Sequence, residues 1–124
     1  MHIGEVASRT ELSLRTIRHY DEAGLVVPSA RTPGGFRVYT DADIARLMLV
    51  RRMKPLGFTL EQMRELLEAS DRLDATSTGE GREQDLEKLR AFERDAQQRC
   101  ADLRVQLERA EDFAATLRRR LDDA

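Results

Sequence analysis

Apolar side chains recur every three or four residues in four short stretches of the first 70 residues. This spacing is typical of amphipathic helices. The first two stretches are brief and flank a turn, and the other two are longer. Together they predict four helices around one small core. The apolar positions are Ile3, Val6 and Ala7, then Leu14 and Ile17, then Ile44, Leu47, Met48, Val50 and Met53, and finally Leu60, Met63, Leu66 and Leu67.

Polar residues mark where these helices begin and end. Ser13 is a good N-cap for the second helix, because its hydroxyl can accept from the open amides of the first turn. Thr40 is the corresponding cap of the third helix, and residues 59–62 match the capping box of the fourth. Gly24 is predicted to stop the second helix. His2 is a poor cap, so we expect the start of the first helix to fray.

A β-hairpin is predicted between the second and third helices. Residues 33–35, Pro-Gly-Gly, supply a turn, since glycine reaches the positive φ angles that tight hairpins need. Alternation along the second arm predicts that Phe36 and Val38 point into the protein. Arg37 and Tyr39 then face outward. The hairpin would therefore present arginine and tyrosine to solvent.

The second helix has a polar face that suits contact with nucleic acid. With Leu14 and Ile17 directed inward, the outward positions are Arg15, Thr16, Arg18 and His19. One interpretation is that this arginine-rich face is merely solvated. The nearby hairpin carries two more arginines, Arg31 and Arg37, and a pair of basic elements favours phosphate contact.

The C-terminal segment has a heptad pattern, in which apolar positions alternate three and four apart over five heptads. A helix of this length, roughly 55 Å, cannot be covered by so small a core, and a second copy is the simplest partner. Cys100 is either an inert packing residue, a thiol sensor or a disulfide across the dimer. The seam positions are Leu86, Leu89, Glu93, Ala96, Cys100, Leu103, Leu107, Ala110, Ala114, Leu117 and Leu121.

A polar stretch, residues 69–84, separates the two parts and predicts a linker. We therefore expect three regions, namely a head (1–69), a linker (70–84) and a coiled-coil dimerisation helix (85–122). Phe92 and Phe113 lie beside the seam and are predicted to pack on the partner's head.

Charge is distributed unevenly along the chain, although the net charge is only −2. The first 60 residues carry nine basic and six acidic side chains, whereas the remainder carries twelve and seventeen. Only the head is therefore expected to meet phosphate. The sequence shows no membrane span or signal peptide, so we expect a cytoplasmic protein without a membrane partner.

No catalytic or metal site is predicted. The ligand candidates His2, His19 and Cys100 are too few and too scattered for a metal set. No Ser/His/Asp arrangement or glycine-rich phosphate loop is found. We therefore expect neither an enzyme nor a cofactor.

Three motifs, TIRHYDEAGL, GGFRVYTDAD and LGFTLEQMREL, occur in the order and spacing of a known family. From about Ile3 to Leu67 the sequence resembles the MerR family of bacterial transcription regulators. The resemblance implies a mainly α fold, with a winged helix-turn-helix DNA-binding head, a small β-hairpin wing and a long coiled-coil dimerisation helix. It also implies an antiparallel homodimer on a near-palindromic promoter operator. Many members distort the promoter spacer so that RNA polymerase holoenzyme can engage.

The same resemblance implies which residues contact double-stranded promoter DNA. The second helix would read base edges, with Arg15 as the best candidate. The wing would hold the flanking backbone, and a basic residue near Lys54 touches DNA in the family. His19 stands where many relatives have tyrosine. The predicted contacts are Ser13, Arg15, Thr16, Arg18, His19, Tyr20, Arg31, Gly35, Arg37, Tyr39 and Lys54.

The sequence departs from two branches of that family. Metal-sensing members carry a ligand cysteine near the start of the long helix, and none is present here. Longer members continue into a ligand-binding domain, whereas only three residues, 122–124, follow the coil. We therefore expect a short member without a C-terminal effector domain. Two alternatives remain open: a thiol-responsive regulator that uses Cys100, and a coiled-coil interaction protein with vestigial DNA binding.

Overall fold

The computed structural model describes residues 1–75 and 79–124. This part of the chain is mainly helical, with one small antiparallel hairpin and a long C-terminal helix, as predicted. A 3₁₀ turn, Lys54–Leu56, follows the third helix. The elements are α1 (Ile3–Thr10), α2 (Leu14–Glu22), β1 (Ala30–Arg31), β2 (Arg37–Val38), α3 (Asp41–Met53), α4 (Leu60–Ala75) and α5 (Arg82–Asp122).

Helices α1 and α2 form a helix-turn-helix, closed by a short turn. Glu11 takes a left-handed conformation with φ 58° and ends α1. The buried Thr10 hydroxyl donates to the Val6 carbonyl at 2.8 Å and accepts from the Leu12 amide at 3.3 Å. Since Val6 and Ile17 are both fully buried, the two helices share one apolar interior.

The caps predicted for α2 are confirmed. The Ser13 hydroxyl accepts from the Thr16 amide at 3.0 Å. At the other end Gly24 has φ 69°, which lets the next amide, that of Leu25, donate back to the Tyr20 carbonyl at 2.9 Å. Leu14, predicted to face inward, is 40% exposed, because it occupies the first turn, beyond the edge of the core.

The hairpin is confirmed, and Arg37 is exposed and Val38 half-buried as predicted, but the predictions for Phe36 and Tyr39 are wrong. Phe36 is 69% exposed and Tyr39 only 4% exposed, the reverse of the expected alternation. Each strand has two residues, and Phe36 lies in the turn, where its amide donates to the Thr32 hydroxyl at 3.1 Å. The alternation of buried and exposed side chains therefore does not extend beyond the two residues of each strand. Beyond β2 the chain bends toward α3 and directs the Tyr39 ring into the core.

The N-terminus is fixed, contrary to the expected fraying. The amino group of Met1 donates to the Tyr39 carbonyl at 2.6 Å, and the Tyr39 amide donates to the Met1 carbonyl at 2.7 Å. These two bonds join the start of α1 to the exit of the wing. Backbone pairing thus replaces the missing side-chain cap at His2.

One core cluster lies beneath the wing and the first four helices. It contains apolar residues from each of the four predicted stretches, which confirms that they pack together. The largest fully buried apolar members are Val6, Ile17, Val26, Leu47 and Val50, with Tyr20, Met63 and Leu67 close behind.

The predicted linker is shorter than expected. Helix α4 continues to Ala75 and α5 begins at Arg82, so most of residues 70–84 are helical. Positions 76–78 of the expected linker lie outside the described residues. Polar side chains in this stretch form ion pairs on the helices: Arg72 pairs with Asp85 at 2.8 Å and so bridges α4 to α5. The polar composition of this stretch therefore belongs to the ends of two helices that an ion pair joins, and not to an unstructured linker.

Helix α5 packs on its own head at its N-terminal end. The Phe92 ring lies 6.0 Å from the Phe58 ring, which corrects the expectation that Phe92 would reach a partner's head. Arg99 lies 4.0 Å above the same Phe58 ring and donates to the Leu56 carbonyl at 2.6 Å. Ala96, a predicted seam position, also packs against the core. From Cys100 onward every residue of α5 is exposed.

Candidate nucleic-acid interface

The outer face of α2 carries polar side chains that are open to solvent. Arg15, Arg18 and His19 are exposed, and Thr16 is half-buried. Within the described residues, no hydrogen bond or ion pair involves the two arginines or the imidazole. Their donors are thus available for a ligand. The Ser13 hydroxyl lies beside them and is hydrogen-bonded to the Thr16 hydroxyl at 2.8 Å.

An ion pair joins the wing to α2. The Arg37 guanidinium donates to the Asp21 carboxylate at 3.0 Å, and this contact brings the wing arginine next to the polar helix face. Arg31 is held within the wing, where it donates to the Gly35 carbonyl at 2.9 Å. Gly35 has φ 86° and no atom near its Cβ position, so the turn conformation is what requires glycine. The sequence patterns gave no indication that Asp21 would hold the wing arginine.

Two tyrosines predicted to contact DNA have buried rings. Tyr20 is 2% exposed and Tyr39 is 4% exposed. In the described part of the chain, every buried side-chain oxygen or nitrogen has a hydrogen-bond partner. Neither phenol oxygen has such a partner. Both oxygens therefore reach the surface. Burial raises the pKa of each phenol, and the Asp21 charge raises that of Tyr39 further, so each remains a donor at neutral pH.

A single buried carboxylate holds both ends of the wing. Asp43 accepts from the Ser29 amide at 2.9 Å and the Ser29 hydroxyl at 2.8 Å, where the wing begins. It also accepts from the Thr40 amide at 2.9 Å, where the wing ends. Burial acts to raise the pKa of Asp43, but hydrogen bonds from Thr40 and Ser29 lower it below its usual value. The charged carboxylate thereby fixes the wing on α3, with Arg46 at 2.9 Å as its counterion.

Arg64 of α4 binds the C-terminal end of α2. Its guanidinium donates to the Ala23 and Gly24 carbonyls, both at 3.0 Å. These groups lie at the C-terminal end of α2, where carbonyls lack helical partners and the helix dipole favours a cation. No local sequence signal could reveal this contact, because 40 residues separate Arg64 from Gly24.

Lys54 stands apart from this cluster. It is exposed at the C-terminus of α3, and no described contact connects it to α2 or the wing. The structure thus brings together the predicted residues of α2 and the wing. It leaves Lys54 as a separate exposed cation.

Residues 1–75 and 79–124 contain neither a cluster of metal ligands nor a membrane-spanning helix. No group of three or more His, Cys, Asp or Glu side chains in these ranges could hold a metal ion. Within the same ranges, no helix combines the length and the apolar character needed to cross a bilayer.

Two family models match the chain. The model described as "MerR HTH family regulatory protein" covers residues 1–70, and that described as "MerR, DNA binding" covers residues 44–124. Together they include the helix-turn-helix, the wing and the long helix.

Curated relatives match the head of the chain. The transcriptional regulator ZntR of Escherichia coli K12 is 46% identical over 65 residues, which are 52% of this chain and 46% of that protein. The regulator CueR of Yersinia pestis is 46% identical over 67 residues, which are 54% of this chain and 48% of that protein. The chain thus spans about half the length of the curated relatives it matches.

Solved structures share the fold over nearly the whole chain. A MerR family regulator from Bacillus thuringiensis matches with TM-score 0.76 and 22% identity, over 94% of this chain and 97% of that one. HiNmlR, described as a MerR family regulator lacking the sensor domain and bound to promoter DNA, matches with TM-score 0.70 and 24% identity. That match covers 91% of this chain and 86% of HiNmlR. From the family models and this fold, the chain belongs to the MerR family of helix-turn-helix regulatory proteins.

Proposed function

We propose that this protein is a sequence-specific transcription regulator that binds double-stranded promoter DNA through α2 and the wing. The observation that carries the proposal is the clustering of unpaired cations on α2 beside a wing arginine. Arg15 and Arg18 have no protein partner among the described residues, and the Arg37 to Asp21 contact of 3.0 Å holds the wing against the same helix.

The exposed face of α2 suits a major groove. A recognition helix reads base edges with residues near its N-terminus, and this is where Arg15 and Thr16 lie. Arginine donates two hydrogen bonds to the edge of guanine, so Arg15 is the proposed specificity residue. Arg18, the wing arginines and the surface phenol oxygens of Tyr20 and Tyr39 are proposed to hold phosphates on either side.

A homodimer through α5 would supply two such heads. The C-terminal part of α5 exposes a row of apolar side chains that nothing in the described chain covers, and a second α5 would bury them. Two heads related by a two-fold axis match a near-palindromic operator. We propose that the dimer distorts the promoter spacer for RNA polymerase holoenzyme, as its family membership favours.

A binding titration tests the DNA assignment. Operator sequences are selected from a random pool with the full chain, and binding to the selected site and to unrelated DNA is measured at several salt concentrations. Arg37→Ala should weaken binding to both DNAs and reduce the salt slope by about one. Arg15→Ala should cost about 1–3 kcal/mol and alter the preferred bases.

Arg119→Ala provides a control of equal charge change, because Arg119 is exposed near the far end of α5. It should leave affinity and salt slope unchanged. If Arg37→Ala behaves like Arg119→Ala, the wing does not contact DNA. If the wild-type chain selects no sequence, the proposed specific binding is wrong.

A further inference from the structure

Two adjacent cavities open between α3 and α4, and none of the predicted DNA contacts lines either of them. The larger cavity has a volume of about 350 Å³, which lies in the range of small-molecule sites. The smaller cavity, of about 200 Å³, extends to residues 24–27, just beyond α2. Arg46, Leu67 and Asp71 line both cavities. The two cavities therefore meet at the Arg46–Asp71 ion pair.

The walls of the larger cavity are mostly apolar. Helix α3 contributes Ala42, Ala45 and Leu49, and α4 contributes Leu67 and Ala75. The small alanine side chains on both helices leave room that larger residues would fill. A hydrocarbon group that entered this space would remove apolar surface from water, which is favourable.

Carboxylates outnumber cations around the two cavities. The charged side chains that line them are Asp43, Glu68, Asp71 and Asp74, and Arg46 and Arg64. Both guanidiniums already have partners, since Arg46 pairs with two carboxylates and Arg64 donates to two backbone carbonyls. Asp74 has no hydrogen bond or ion pair in residues 1–75 and 79–124. The cavities therefore favour a cation and disfavour an anion.

We infer that these cavities form a binding site for a small organic cation with an apolar body, such as an arylalkyl amine. The body would lie between α3 and α4, and the ammonium group would donate to Asp71 and Asp74. These two carboxylates are three positions apart on α4, so they lie on one helix face and a single ammonium group can reach both. Asp71 is half-buried and Asp74 is exposed, which places the charged end of the ligand at the open edge.

A ligand in this position would compete with Arg46 for Asp71. The Arg46 Nε donates to both Asp71 oxygens, at 3.0 and 3.1 Å, while Nη1 of the same guanidinium donates to Asp43 at 2.9 Å. Arg46 thereby connects α4 to the carboxylate that holds both ends of the wing. Because α4 also carries Arg64, which binds the end of α2, the site borders both DNA-contacting elements.

Occupation of the site is therefore expected to weaken operator binding. An ammonium group on Asp71 loosens the contact between α3 and α4, and the loss of alignment reaches the wing and α2 together. By thermodynamic linkage, operator DNA should weaken ligand binding by the same factor. This regulatory consequence rests on the proposed function, whereas the binding site itself does not.

Nuclear magnetic resonance of the full chain tests the site. The probe is 3-phenylpropylamine, and 3-phenylpropanol and 3-phenylpropionate are neutral and anionic analogues of nearly the same size. The amine should shift the backbone amides of Ala45, Leu49 and Asp74, with a dissociation constant on the order of 1 mM for a ligand of about ten non-hydrogen atoms. The alcohol should bind roughly five-fold more weakly, and the propionate should cause no shifts.

Paired variants test which charges select the cation. The double variant Asp71→Asn, Asp74→Asn should bind the amine no more tightly than the alcohol. The double variant Asp122→Asn, Asp123→Asn is the matched control, because it changes the charge equally at the far end of α5. It should keep the preference for the amine. A preference that survives in the first variant would overturn the assignment of Asp71 and Asp74.

A filled cavity tests where the apolar body lies. Ala45 is an exposed alanine on the wall of the larger cavity, so Ala45→Phe should abolish the amide shifts without disturbing the core. Ala101→Phe is the control, since Ala101 is exposed on α5 and lines neither cavity. Shifts confined to other parts of the chain, or equal binding of amine and alcohol by the wild type, would overturn the inference.

A DNA titration tests the regulatory consequence. Affinity for the selected operator is measured with 3-phenylpropylamine at about ten times its dissociation constant, and with propylammonium chloride at the same concentration. Propylammonium matches the charge and ionic strength but lacks the aromatic body. The phenyl amine should lower operator affinity by about three- to ten-fold beyond the propylammonium control.

The outcomes separate the site from the proposed function. Equal operator affinity with the two amines would overturn the regulatory consequence. If the wild type selects no operator, the proposed function fails and this consequence fails with it. The amide shifts decide the binding site in either case, because they are measured without DNA.

Discussion

The buried carboxylate of Asp43 offers the sharpest test of how the wing is held. Asparagine has nearly the same shape, so Asp43→Asn removes the charge while leaving the packing intact. One side-chain oxygen of Asp43 accepts three bonds, from the Ser29 amide and hydroxyl and from the Thr40 amide. The other accepts from Arg46 at 2.9 Å. The asparagine amide has only one oxygen, so it can accept the hydrogen bonds of one carboxylate oxygen but not those of both.

The expected cost follows from these four contacts. If the asparagine oxygen keeps the three bonds to Ser29 and Thr40, they change from charge-assisted to neutral, and each loses up to about 1 kcal/mol. The amide nitrogen then faces the Arg46 guanidinium, donor against donor. We expect Asp43→Asn to lower the free energy of unfolding by roughly 2–4 kcal/mol, a large part of the 5–15 kcal/mol typical of small domains.

Urea unfolding followed by circular dichroism measures this difference, with all variants at one protein concentration. Asp41→Asn is the matched control, because Asp41 begins the same helix but has a side chain that is 92% exposed. Its ion pair with Arg9 is long, at 3.8 Å. The substitution should cost less than about 1 kcal/mol. Equal losses for the two variants would refute the conclusion that Asp43 holds the wing.

The same carboxylate predicts a pH dependence. Because hydrogen bonds lower the pKa of Asp43 in the folded protein below the 3.8 of a free carboxyl, the unfolded chain binds its proton first as the pH falls. The stabilisation by Asp43 is fully present above pH 3.8 and decreases as the pH falls through the lower folded value. The stability gap between wild type and Asp43→Asn should therefore be constant near neutral pH and narrow below pH 3.8. A gap that widens on acidification would contradict this sign.

Three more predictions concern the contacts that position α2 and α5. Arg64→Met keeps the aliphatic stem but loses both carbonyl contacts of α2, so operator affinity should fall several-fold with an unchanged salt slope; unaltered affinity would exclude a positioning role. Asp21→Asn releases Arg37, so binding to unrelated DNA should strengthen by roughly two- to five-fold. That gain should exceed the gain of Glu22→Gln, which changes the charge equally, and equal gains would mean that the ion pair is irrelevant. Arg99→Met loses the Phe58 stacking and the Leu56 carbonyl contact, and should cost about 2 kcal/mol in urea unfolding.

Local chemistry accounts for the parts of the fold that were predictable. The caps at Ser13 and Thr40, the capping box at Thr59 and the stop at Gly24 were all confirmed. Each depends on atoms within about four residues of one another, so the residue types alone nearly determine the geometry. The resemblance to the MerR family was confirmed as well, because its motifs combine several such local signals in a fixed order.

Local patterns failed where neighbouring elements override them. The alternation of Phe36 and Tyr39 was reversed, since β2 has only two residues and the Met1 backbone holds Tyr39 in place. The polar stretch that was predicted to be a linker is mostly helical. Its charged side chains form ion pairs between the helices, such as Arg72 with Asp85. Period and polarity describe a segment by itself, whereas these outcomes depend on what packs against it.

By itself, the sequence determined the helix boundaries near each cap, the helix-turn-helix with its wing, and a long helix whose apolar stripe exceeds the core. Only the tertiary structure decided that Arg64 caps α2, that Asp43 joins both ends of the wing, and that the head covers α5 near Phe92. The physical reason is distance along the chain. Caps and heptads act within one or two turns, whereas contacts such as Arg64 with Gly24 join residues 40 positions apart, and only the packed core brings them together.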